Sequence, residues 1–139
     1  MASNYYVYLS SQCSNQYFPD NTPAQFTSLL PKQLMFTGSW EVALLQFQYP
    51  SSTKKSAQVN IHTDIISDVL YEDNMLPVLR RLSITSKGKL VSVNVPFYIP
   101  VKKDHVDSIS LHILNDKGQL HSFANQPVRC TLHFRKCHL

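Results

Sequence analysis

The residues of this chain best equipped for chemistry stand near its C-terminal end. Cys130, His133 and Cys137 offer two thiols and an imidazole, the ligand types that zinc and other soft metals favour. Their spacing argues against a site. On a strand, Cys130 and His133 point to opposite faces, and no second ligand pair stands nearby. The expectation is a buried Cys130 and an exposed His133, with no metal. His62 and Asp64 share one strand face and could orient a ligand, although two polar side chains on a wet face need no such role. The nine carboxylates cluster only at Glu72-Asp73. No G-x-S-x-G elbow, Walker-type loop or H-E-x-x-H occurs, and three glycines in 139 residues argue against a phosphate-cradling loop. The reading is of a protein with no catalytic residues, no metal and no cofactor, and not of an enzyme.

Composition narrows the class. A chain of 139 residues suits one domain, 1–139, large enough to support its own core. Charged residues make up 16%, below the usual level of about 25%, while hydrophobic residues reach 43%. That balance describes an ordered protein, and one that could hide surface in an assembly. The net charge of +4 is spread over Lys54-Lys55, Arg80-Arg81, Lys102-Lys103 and Arg135-Lys136 rather than gathered into a run. No specific nucleic-acid binding is expected from it. Three cysteines without repeated spacing suit a reducing compartment. The N-terminus lacks a signal-peptide pattern, and no apolar run approaches the 18 or so residues of a membrane span. A soluble protein made in the cytosol, with no membrane partner, is the expectation.

The elements that position these side chains are strands. Residues 128–134, 107–114, 59–65 and 91–95 each alternate one apolar face with one polar face. Residues 5–10, 24–30, 40–48 and 79–85 favour strands through β-branched and aromatic content. The stretches TSKGK (85–89) and NDKGQ (115–119) predict type I turns closed by glycine in the left-handed region. The one helical candidate, residues 67–82, is interrupted by Pro77, which limits it to a turn of helix. Eight principal strands predict an all-β sandwich or barrel.

One strand breaks the pattern. In GSWEVALLQFQYP, Trp40, Val42 and Leu44 line one face, while Ala43, Leu45, Phe47 and Tyr49 line the other. A half-buried antiparallel strand shows one apolar face and one wet one. Two explanations stay open: Leu45, Phe47 and Tyr49 lie under a neighbouring loop or against the next subunit, or a β-bulge near Leu44-Leu45 swaps the faces and keeps the strand one-sided.

Taken together, residues 5–50 resemble the N-terminal segment of the minor capsid (penton) proteins of Polinton/Maverick elements and the related adintoviruses. That family shows a short strand, a YP-x-N turn and then F…LP…G-x-WEVAL…YP. The pattern falls on Tyr17, Pro19 (with Phe18 inserted), Asn21, Phe26, Leu30-Pro31, Gly38, Trp40 and Glu41 through Leu44, and Tyr49-Pro50. The second half continues the likeness at residues 77–80, 97–101 and 107–113, at Asp116, Gly118 and Phe123, and at residues 128–135. Family members usually carry a long insertion after the first YP, and here only residues 51–58 stand in that place.

The resemblance implies a single jelly-roll β-sandwich of two antiparallel four-stranded sheets. It also implies a structural role in the virion: five copies, as a homopentamer, closing an icosahedral vertex beside a double jelly-roll major capsid protein. Synthesis in the host cytosol, with assembly there or in the nucleus, goes with that role. Two other classes compete. A lectin-like ligand- or receptor-binding module would use an aromatic platform such as Tyr5, Tyr6, Tyr8, Tyr17 and Phe18. A cupin-type enzyme would need several histidines and a carboxylate converging inside the barrel, and no spacing shows them.

Overall fold

A computed structural model describes residues 3–53 and 56–137, so the Lys54-Lys55 pair and His138 lie outside the described residues. Among those, the chain forms strands and no helix. They are β1 (Asn4–Ser10), β2 (Gln25–Met35), β3 (Trp40–Tyr49), β4 (Ser56–Thr63), β5 (Val69–Tyr71), β6 (Asn74–Leu76), β7 (Val78–Thr85), β8 (Lys89–Ser92), β9 (Ile99–Pro100), β10 (His105–Leu114) and β11 (Arg129–Lys136). Two large antiparallel sheets result, with β5 and β6 as a separate two-stranded sheet. The first runs β1-β11-β3-β8, with β9 also pairing to β3, and the second runs β2-β10-β4-β7.

The pairing is nested: β1 with β11, β2 with β10, β3 with β8 and β9, and β4 with β7. A long hairpin of strands wrapped in this way is a jelly roll, so the expected architecture holds. One sheet position is divided: β8 lies along residues 46–49 of β3, and β9 along Glu41 and Val42. The strand expected over 91–95 is displaced: β8 runs from Lys89 to Ser92, and Val95, expected on the apolar face, is exposed.

The core lies between the sheets and follows the period-two pattern. Strand β10 contributes Val106, Ile109, Leu111 and Ile113, while β11 contributes Cys130, Leu132 and Phe134. The uneven step from Val106 to Ile109 is a bulge in the pairing with β2, between Val106 and Ser108. Pro31 falls in the irregular part of β2, an edge strand, where a residue without an amide donor is tolerated. One end is closed by aromatic rings: Trp40 stacks on Tyr5 at 5.2 Å and meets Phe36 at 5.3 Å, and its indole N–H donates to the Thr37 carbonyl at 3.1 Å.

The two-faced strand is resolved by a bulge. Thr131 faces Gln46, but the next residue, Leu132, faces Leu44, so Leu45 is the extra residue on β3. Its carbonyl accepts the Val93 amide at 2.8 Å. Beyond it the phase inverts, and Phe47 and Tyr49 join Trp40, Val42 and Leu44 in the core. Phe47 is 0% exposed and Tyr49 2% exposed within the single chain. Their assignment to a subunit interface is therefore corrected, and only Leu45 of that trio stays half-exposed on the outer face.

Residues 67–82 hold no helix. They form the β5–β6 hairpin, turning at Glu72-Asp73 with Glu72 at φ +53°, and then enter β7 just after Pro77. The local acid-rich turn and the pairing of Val69 with Leu76 outweigh the weak helical periodicity. The two glycine turns also divide. Gly118 sits at φ +76° as expected. Gly88 does not take a positive φ; a Cβ there would stand 2.9 Å from the Tyr49 carbonyl oxygen and 3.2 Å from the Pro50 Cα, so lack of a side chain is what that position requires.

Candidate assembly surface

The outer face of the first sheet is built by side chains that alternate with the core. On β1 these are Asn4, Tyr6 and Tyr8, since Leu9 points inward with Tyr5 and Val7 packed on the core. On β11 they are Arg129, Thr131, His133 and Arg135. Register places Tyr6 opposite His133 and Tyr8 opposite Thr131.

His133 is the centre of a polar cluster. Its ring stacks on Tyr6 at 4.5 Å. The Asn4 Oδ1 lies 2.8 Å from Nε2, and the Tyr98 hydroxyl 2.8 Å from Nδ1. Because an amide oxygen only accepts, Nε2 carries the proton and Nδ1 accepts from Tyr98. Burial, and then the positive charge of Arg135, lower the His133 pKa, which favours the neutral ring. Arg135 caps the cluster, lying 3.4 Å over the Tyr98 ring and bonding Glu41 at 2.6 Å. The expected exposure of His133 is thus corrected: it is buried, because Asn4, Tyr6 and Tyr98 cover it. No spacing rule reveals partners 35 and 129 residues away.

Further along the same face the surface is open. Tyr8, at 77% the most exposed large hydrophobic side chain among the described residues, borders a concavity of about 200 Å³ with Gln46, Gln48, Leu90, Arg129 and Thr131. A second hollow of about 530 Å³ adjoins it, and Gln48, Leu90 and Arg129 line both. Sequence reading named Tyr8 as a platform candidate but missed Arg129 and Leu90, which reach it only through strand pairing.

The candidate chemical residues do not converge. Cys130 lies in the core, and burial pushes its thiol up to about 12. His133 faces the other way, and Cys137 follows the end of β11. Among the described residues no group of three His, Cys, Asp or Glu side chains could hold a metal ion. Asp64 accepts the Ser110 amide at 3.0 Å and pairs with Lys103 at 3.5 Å, while His62 faces His112 across the strands.

The residues shared with the penton pattern have structural partners. Asn21 clamps β2: its Nδ2 donates to the Thr27 carbonyl and its Oδ1 accepts the Thr27 amide, both at 2.9 Å. Tyr17 and Pro19 are exposed beside it, and Phe26 fills the core. Gly38 takes φ +85° ahead of Trp40. The Tyr49 hydroxyl accepts the Thr85 amide at 3.1 Å, tying the two sheets together, and Pro50 is buried behind it. Asp116 pairs with Arg81 at 2.9 Å, and Gly118 turns the following chain.

No family model and no curated protein matches the chain. Among solved structures, the chain is similar to the mavirus penton protein, with 7% identity, a TM-score of 0.65, and coverage of 96% of this chain and 100% of that one. A likeness to the infectious bursal disease virus VP2 subviral particle has 10% identity over 96% of this chain and 37% of that chain. Its TM-score of 0.27 is too low to carry weight. Over nearly its whole length, this chain has the single jelly-roll fold of the mavirus penton protein.

Proposed function

We propose that this chain is a penton-type capsid subunit, closing the vertices of an icosahedral particle of the Polinton/adintovirus kind as a homopentamer. The end-to-end fold likeness to the mavirus penton protein carries the reading. The sequence pattern from Tyr17 to Pro50 supports it independently. Exposed Tyr8, Leu70, Met75 and Phe97 add apolar surface that an assembly would cover. In this reading the role is structural rather than enzymatic, the partners are further copies and a double jelly-roll major capsid protein, and the site of action is the virion. Sedimentation and native mass spectrometry of the purified chain, alone and with such a major capsid protein, test it. Pentamers, or density at particle vertices, are expected. A strict monomer at high concentration that also fails to join capsids would end the proposal.

The exposed Tyr8 beside Gln46, Gln48 and Arg129 supports one competing reading, a carbohydrate-binding module, since sugars stack on aromatic rings and bond to amides. A glycan array separates the two: specific sugar binding lost in Tyr8→Ala, together with a monomeric chain, would favour the module.

A further inference from the structure

The charges of this chain are unevenly placed. The strands of the first sheet carry Lys89, Arg129, Arg135 and Lys136 against one carboxylate, Glu41, which Arg135 already engages. The β5–β6 hairpin is the reverse. Residues 68–76 contain Asp68, Glu72 and Asp73 and no cation. Among the described residues none of these three carboxylates forms an ion pair.

Shape follows the same division. Val69 pairs with Leu76 on the half-buried side of the hairpin, and Tyr71 hydrogen-bonds Arg81. Leu70 pairs with Met75 on the other side, 74% and 58% exposed. The hairpin is thus an apolar knob with an acidic tip. The concavity beside Tyr8 and Leu90 is the complement: an apolar and amide lining with Arg129 in its wall and Lys89 alongside.

A chain cannot fill its own concavity. The hairpin leaves the sandwich where β4 passes to β7, near the His62–Val78 pair. The concavity lies at the other end of β7, where Tyr49 meets Thr85 and pairs with Lys89. The strand between those ends is eight residues, roughly 25 Å long at the usual rise per residue, and the hairpin meets it at Arg81, four residues short of Thr85. The hairpin also leans on Arg81 of the second sheet, whereas the concavity opens on the outer face of the first.

We infer that the acidic β5–β6 hairpin of one copy docks on the Tyr8–Leu90–Arg129 surface of the next. Leu70 and Met75 would enter the concavity, and Glu72 and Asp73 would face Arg129 and Lys89. Such a contact is heterologous, with a different patch on each partner, which is the kind that closes a ring. The inference rests on the proposed vertex role and assigns its subunit interface. The partner is a second copy because the chain itself carries both complementary halves.

Charge reversal tests it. Two variants, Lys89→Glu/Arg129→Glu and Glu72→Lys/Asp73→Lys, alter exposed side chains and are checked for folding by circular dichroism. Assembly is followed by native mass spectrometry across protein concentration. Each pair of reversals is expected to raise the concentration needed for assembly at least tenfold, with the four-residue combination recovering most of the loss. Higher salt should weaken wild-type assembly. Normal assembly by both variants would overturn this interface while leaving the ring intact. Two losses with no recovery in combination would also overturn the pairing. A monomeric wild type that joins no capsid would remove the vertex role and the interface with it. Capture of a glycan at Tyr8, with assembly unchanged by the reversals, would assign the concavity to a ligand instead.

Discussion

Replacing Phe47 with alanine probes the bulge that inverts β3. Phe47 is fully buried, pairs with Cys130 and Val91, and stacks on Tyr49 at 5.8 Å. Truncating a buried phenylalanine costs about 3–5 kcal/mol, from lost transfer energy and the cavity left behind. Against a typical domain stability of about 5–15 kcal/mol, that is a large fraction. For a chain of this size it lowers the melting temperature by roughly 10–20 °C. Urea titration followed by fluorescence of the single tryptophan, Trp40, provides the readout, since that ring is buried and becomes wet on unfolding. Leu45→Ala is the control. As the half-exposed extra residue of the bulge, Leu45 should cost about 1 kcal/mol or less. If Phe47→Ala costs less than Leu45→Ala, or leaves folding intact while abolishing assembly, the bulge assignment is wrong and Phe47 faces a neighbour.

Other expectations follow from single residues. Burial lowers the pKa of His133, with Arg135 adding to it, and burial lowers that of His62, with His112 adding. A histidine held below its unfolded value stabilises the fold above the unfolded pKa, so stability should fall as pH drops below about 6.5 and continue falling through the lower folded values. Melting curves between pH 7 and 5 check this, and replacing both histidines with glutamine should flatten the slope; a rise on acidification would contradict the sign. Thiol labelling at pH 8 should modify the exposed Cys13 quickly and the core Cys130 only on unfolding, and rapid native labelling of Cys130 would contradict its burial. Gly88→Ala should destabilise by about 1–3 kcal/mol because the new Cβ meets backbone atoms. Gly118→Ala, with open space but φ +76°, should cost roughly 1 kcal/mol of backbone strain; equal melting points for both variants and wild type would refute both accounts.

Much of this architecture was legible in period-two alternation. The core residues of β10 and β11 could be named from polarity because a strand between water and a core repeats every two residues. The all-β class and the turn at Gly118 were legible for the same local reasons. The hairpin at residues 69–76 was not legible, because three-residue strands are too short to establish a period and Pro77 reads equally as the break in a helix. Of the residues around the open concavity, Tyr8 was legible as an aromatic. Arg129, however, carries no local mark, and only strand pairing sets it beside Gln48 and Leu90.

Local chemistry alone made legible the long alternating strands, the left-handed turn at Gly118 and the side chains apolar enough to be buried. The tertiary structure decided the rest. It set the phase of β3, because a bulge is defined only by the partner strand and Leu45 has no local mark. It buried His133, because Asn4 and Tyr6 of β1 and Tyr98, just ahead of β9, reach that ring from two segments far from it in the sequence. It also placed the acidic hairpin and the cationic concavity at opposite ends of the sandwich. Burial and proximity depend on how strands separated by many residues come together, and the nested pairing of a jelly roll is where that is settled.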